Sequence, residues 1–94
     1  MTKEDIIEKM SEENELPKST NKKTLNLVIN IISNALAEKD KVVLTNFGTF
    51  DVAHRNARQV KQIHTKELIT IAEHDVVTFR VGKELSEKVN KRYN

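Results

Sequence analysis

Between Asp51 and Glu67 the chain carries no carboxylate, yet four cations stand there: Arg55, Arg58, Lys61 and Lys66. Nothing inside such a run neutralises its charge, so it seeks anions. His54, His64 and His74 recur every 10 residues in and around the same stretch. In a hairpin with its tip near His64 and Thr65, His54 and His74 could face each other across the ribbon. Two imidazoles without a third ligand make a poor metal site, so solvated or anion-facing histidines are the simpler reading and no metal is expected. Catalytic chemistry finds no footing. The chain has no cysteine and only 2 glycines. It has no Gly-x-Ser-x-Gly turn, no phosphate-cradling glycine loop and no paired acids in an apolar setting. We therefore expect no enzyme, no catalytic residue, no cofactor and no small-molecule substrate.

The element that must position these cations runs from Phe50 to Phe79. Its second half, from Glu67, is rich in β-branched residues: Ile69, Thr70, Ile71, Val76, Val77 and Thr78. Two strand-prone segments around a polar centre read as a hairpin. The middle has too few apolar side chains to fold onto a core. A long β-ribbon projecting into solvent is predicted, with the arm over about 53–75.

The remaining segments supply a body for that arm. Thr2 followed by Asp5 has the form of a capping box, with an acid in place of the commoner Glu. Ile6, Ile7 and Met10 then share a helical face, predicting a helix from about Lys3 to Asn14. Leu16-Pro17 breaks it. Pro17 suits the start of a second helix reaching about Glu38. There Leu25, Val28, Ile29, Ile32, Ala35 and Leu36 form one stripe, and Leu27 and Ile31 form a line beside it. A helix apolar on two sides must be covered on two sides. The first helix is too short to do this, so dimerisation is expected; the alternative is a helix sandwiched within one chain.

Lys39-Asp40-Lys41 turns out of this helix into a short strand, Val42 to Leu44. Asn46-Phe47-Gly48 reads as a tight turn with Gly48 free to take positive φ. Phe50 and Val52 share one strand face, and Val77, Phe79 and Val81 repeat the alternation on the return strand. Phe47, Phe50 and Phe79 are the core candidates, packed on the helices. Gly82 precedes a final short helix, Lys83 to about Lys91, with Leu85 and Val89 on its inner face. The fold class is α+β: two N-terminal helices, a three-stranded antiparallel sheet with a long ribbon arm, and a C-terminal helix, in an intertwined dimer. One domain, 1–94, is expected, divided into a helical dimerisation part (1–40), sheet and arm (41–82) and C-terminal helix (83–94).

Composition agrees with a small core. Apolar residues are 37% of 94, with 3 Phe, 1 Tyr and no Trp. Small cores are often completed by another subunit. Without cysteine there is neither a disulfide nor a thiolate metal site, in keeping with a reducing compartment. The polar N-terminus is no signal peptide, and no apolar run approaches a membrane span. The net charge of +2 is small; the distribution of the cations carries the argument.

This order of elements resembles the HU and integration host factor family of bacterial DNA-bending proteins. The resemblance rests on Gly48 and Phe50 in Asn46-Phe47-Gly48-Thr49-Phe50, on Arg55 and Arg58, and on Phe79-Arg80-Val81-Gly82-Lys83, and it covers essentially the whole chain. It implies a cytoplasmic, nucleoid-associated, histone-like homodimer. Two arms would clamp double-stranded DNA in the minor groove with little sequence specificity and bend or condense it, with nicked, gapped or branched duplexes preferred. Arg55, Arg58, Lys61, Gln62, Ile63, His64 and Lys66 would meet DNA along the arm, and Lys3, Arg80 and Lys83 on the body. Taken alone, each of those last three reads as a solvated surface charge.

The chain departs from the family at the arm tip. Where the family usually has Gly-Arg-Asn-Pro-x-Thr-Gly, this chain has Val60-Lys61-Gln62-Ile63-His64-Thr65-Lys66. Both glycines are gone, and Ile63 stands in place of the proline that wedges between bases. Isoleucine is itself a wedge type; otherwise it is a merely exposed residue, or packs on Val60 and Leu68. Ala53 replaces a residue that is commonly basic, and Val81 one that is often proline. A rival reading is a protein-interaction module whose arms wrap a partner protein.

Overall fold

The computed structural model describes residues 1–91. Two compact units make up the chain, one ending at Ala35 and the other starting at Leu36. In the first, α1 (Lys3–Asn14) is opened by the expected capping box. Thr2 N donates to Asp5 Oδ2 at 2.8 Å, and Asp5 N donates to Thr2 Oγ1 at 3.3 Å. Glu15, in the left-handed region at φ 59°, ends the helix, its N–H returning to Ser11 O at 3.0 Å. The termination therefore precedes Leu16-Pro17. Helix α2 (Lys18–Ala37) follows, and the Pro17 carbonyl accepts from Thr20 N and Asn21 N.

The centre of this unit is polar. Asn21 is 1% exposed. It exchanges two amide hydrogen bonds with Asn14, at 2.8 and 3.1 Å, and donates to Ser11 Oγ at 2.9 Å. This triangle ties α1 to the start of α2. Ile7 is the one large apolar side chain that is buried among the described residues. The α2 residues Leu27, Val28, Ile29 and Ile31 are all exposed.

In the second unit, β1 (Val42–Leu44), β2 (Gly48–Arg55) and β5 (His74–Val81) form an antiparallel sheet in the order β1-β2-β5. Strands β3 (Arg58–Lys61) and β4 (Leu68–Ile71) form a separate two-stranded ribbon, and α3 (Lys83–Asn90) follows the sheet. Residues 92–94 of the expected C-terminal segment lie outside those described. The alternation read from sequence is realised: Phe50 pairs with Phe79, Val52 with Val77 and Gly48 with Val81. The rings of Phe47 and Phe50 lie 5.6 and 4.8 Å from that of Phe79. The cluster forms, but Phe47 and Phe79 remain 46% and 44% exposed, so a single chain does not make it a buried core.

Gly48 does not take positive φ. That role falls to Asn46, at φ 70°, in the turn closed by Phe47 N to Leu44 O at 2.9 Å. Asparagine tolerates the left-handed position that such a turn requires. Gly48 is demanded instead by packing: a Cβ there would lie 2.4 Å from Phe79 Cζ and 2.8 Å from the Arg80 carbonyl oxygen.

Candidate nucleic-acid interface

The arm follows from a register symmetric about the His64–Thr65 bond. Gly48 pairs with Val81, and the pairing continues in step to Arg55 with His74, then from Arg58 with Ile71 to Lys61 with Leu68. Beyond β1 only two strands remain, so the arm is slender. It is also jointed. Pairing lapses at Asn56-Ala57 on one strand and Ala72-Glu73 on the other, equal lengths that leave the register unchanged. The strand pattern of the sequence did not foretell this joint. Its signal was the facing of Asn, Ala, Ala and Glu, all weak strand formers.

Arg55 and Arg58 flank this joint. With Asn56, Ala57, His74 and Val76 they line one recess of about 470 Å³. The structure thus unites the two arginines and adds His74, whose Nδ1 lies 3.0 Å from the Ala72 carbonyl oxygen. Arg55, Arg58, Lys61 and Lys66 are all exposed, and none has a carboxylate partner within ion-pair distance among the described residues. Their donors are free for an external anion.

The tip is an ordered turn despite lacking glycine. Gln62 N donates to Glu67 O and Lys66 N to Gln62 O, both at 2.8 Å. Thr65 Oγ1 donates to Gln62 Oε1 at 3.0 Å. Lys66 takes φ 60°, the left-handed conformation that glycine adopts without strain, at the position where the resembling family has glycine. Ile63 stands at the crest, 87% exposed, so it does not pack on Val60 and Leu68. His64 beside it is exposed too.

His54 and His74 do not face each other. The symmetric register pairs His54 with Asp75 and Arg55 with His74, one residue away from the expected match, so the imidazoles fall on opposite faces of the ribbon. His54 is half exposed and faces carboxylates of its own chain, Asp75 at 2.9 Å and Glu73 at 3.3 Å. Its two nitrogens point at different carboxylates, and among the described residues no three ligands could hold a metal.

The remaining sequence candidates are dispersed. Arg80 lies on β5 opposite Thr49, on the sheet face away from the phenylalanines. Lys83 is the first residue of α3, and Lys3 the first of α1. All three are exposed. Among the described residues no helix is long and apolar enough to cross a membrane.

Comparison with known proteins agrees with this geometry. Residues 1–90 match the family described as bacterial DNA-binding protein. DNA-binding protein HU of Clostridium pasteurianum is 38% identical over 91 residues, 97% of this chain and 100% of that protein. DNA-binding protein HU-beta of Escherichia coli K12 is 37% identical over 90 residues, 96% of this chain and 100% of that protein. An Anabaena HU–DNA cocrystal structure superposes with a TM-score of 0.86 at 30% identity, covering 95% of this chain and 97% of that one. HU from Thermotoga maritima gives 0.68 at 26% identity, covering 95% and 98%.

Proposed function

Since the chain belongs to the bacterial DNA-binding protein family, in which its relatives carry the name HU, we propose that it is an architectural, nucleoid-associated DNA-binding protein that grips and bends duplexes with its arms. The observation that carries this reading is the arm itself: a slender two-stranded ribbon whose exposed cations have no carboxylate partner among the described residues, with Arg55 and Arg58 in one recess. A ribbon of that section can follow a groove, and arginine suits the negative potential of a narrow minor groove. Lys61 and Lys66 extend the charge toward the tip, where Gln62 and His64 flank the crest residue Ile63. Few groups can read base edges, so backbone charge and duplex deformability dominate and sequence preference is weak. Lys3, Arg80 and Lys83 serve as body contacts.

The functional unit is a homodimer. Uncovered apolar surface in both units supports this: Leu27 and Ile31 are each 59% exposed, Val77 is 61% and Val81 51%. Large apolar side chains left this open call for a covering partner. HU is itself a standing example of the architectural proteins that bend duplexes from the minor groove, so bending as such is a property of the class and only its assignment to these residues is new.

At the crest, Ile63 replaces a wedge proline. An isoleucine held in water by an ordered turn gains apolar cover by entering a base step. Gel-shift titrations of random, nicked and four-way DNA test the whole reading. Binding of all three, tightest to nicked and branched forms and weakened steeply by salt, is expected. Salt-insensitive binding, or none, refutes it.

A further inference from the structure

Opposite the arginine recess, the joint of the arm carries a second group of charges. His54 on β2 lies between two carboxylates. Its Nδ1 is 2.9 Å from Asp75 Oδ1 on β5, and its Nε2 is 3.3 Å from Glu73 Oε2 in the lapse between β4 and β5. Lys39, in the turn after α2, places Nζ 3.1 Å from the other Asp75 oxygen. Glu73, Asp75 and Lys39 are the charged groups that face the ring from the joint, from β5 and from that turn. On β2 itself Arg55 belongs to the other face, with His74 opposite it.

Imidazole chemistry gives this arrangement two states. An ionised carboxylate only accepts hydrogen bonds, so serving both acids takes a donor on each nitrogen, which only the imidazolium has. A neutral ring keeps one proton and turns a lone pair toward the other carboxylate. Asp75 holds the shorter contact and is fixed by Lys39, so Glu73 is the acid released. Glu73 sits where the strand pairing lapses, and no ladder hydrogen bond holds it there.

We propose that His54 is a proton-operated clasp, bracing the arm's joint through Glu73 when charged and freeing it when neutral. The imidazolium is the acid-side form of the ring, so the braced state belongs to the acid side and is lost as pH rises. Asp75 bounds the window from below. Its carboxyl is held under the usual carboxylate range, first by the hydrogen bond from His54 and then by that from Lys39. Its contribution is therefore present above that range and lost as pH falls. The side chains are solvated, so the clasp alters the mobility of the joint rather than global stability. Braced, the four groups sum to zero charge; freed, they leave a net negative charge at the arm's root, and its effect on duplex binding rests on the function proposed above.

The test needs no DNA. Backbone 15N relaxation at Ala72, Glu73 and His74 is compared at about pH 5 and about pH 8 at fixed salt, while ring 15N shifts report the His54 proton. The wild type should lose heteronuclear NOE at the joint as the ring deprotonates. Glu73→Ala, which keeps every histidine and leaves Nε2 without a side-chain partner, should show the freed values at both pH values, and His54→Asn should do the same. A joint unchanged while the ring loses its proton, a ring that keeps its proton throughout, or a full pH response surviving in Glu73→Ala would overturn the proposal.

Discussion

Ile63→Ala separates the wedge from the charge of the arm. Ile63 is 87% exposed, so nearly all of its side chain is available for burial on insertion. The substitution removes three outer carbons worth about 0.8 kcal/mol each, hence roughly 2 kcal/mol of insertion energy per arm after scaling for exposure. Unstacking a base step costs about a few kcal/mol, so a loss of this size decides whether the step opens. It corresponds to about a 30-fold shift per arm toward unbent duplex. The folded protein should not notice, because exposed substitutions of this kind usually stay within about 0.5 kcal/mol. Energy transfer between the ends of a short duplex, at saturating protein, reads the bend. We expect less transfer, a smaller preference for nicked over intact DNA, and an unchanged salt slope. Wild-type bending by Ile63→Ala would refute the wedge and leave charge as the grip.

Three further substitutions, with Thr24→Ala as a control, test the scaffold. Ile32→Asp puts a charge on the apolar face of α2 and should abolish both folding and association; sedimentation that finds the wild type a stably folded monomer at micromolar concentration would contradict the dimer. Gly48→Ala drives a methyl into Phe79 and the Arg80 carbonyl oxygen and should cost about 1–3 kcal/mol, read by denaturant titration at fixed protein concentration. Asn21→Ala removes the three hydrogen bonds that tie α1 to the start of α2, although exposed Asn14 and half-buried Ser11 can turn to water; a cost of about 1–3 kcal/mol is expected, seen as a lowered melting temperature, whereas Thr24→Ala on the exposed side of the same helix should change little.

Local chemistry was legible wherever neighbours in sequence decide it. Thr2 and Asp5 announced the start of α1, and the spacing of Phe50, Val52, Val77 and Phe79 announced a shared strand face. The tip near His64 and Thr65 followed from the same symmetry. Features set by partners distant in sequence were not legible. A shift of one residue in register moved His54 from His74 to Asp75, because side chains alternate faces with period two. Gly48 was read as a turn residue, but its need arises from the Phe79 ring across the sheet. The joint was missed because β-branched residues on both sides of Ala72-Glu73 masked two weak strand formers. At the candidate site, the acid-free run identified the cations; their convergence in one recess, and the counter-charged clasp behind it, needed the fold.

The central claim is that the arm's cations hold DNA, and the salt dependence of Arg55→Ala combined with Arg58→Ala tests it most directly. Each phosphate contact contributes about −0.9 to the log–log slope of affinity against salt on duplex DNA. In the proposed homodimer, two arginines per subunit make up to four contacts, so the slope should flatten by about 3 to 4, with affinity falling alike for all duplex sequences. A double variant that keeps the wild-type slope would contradict the account, because the binding charge would then lie elsewhere than on the arm.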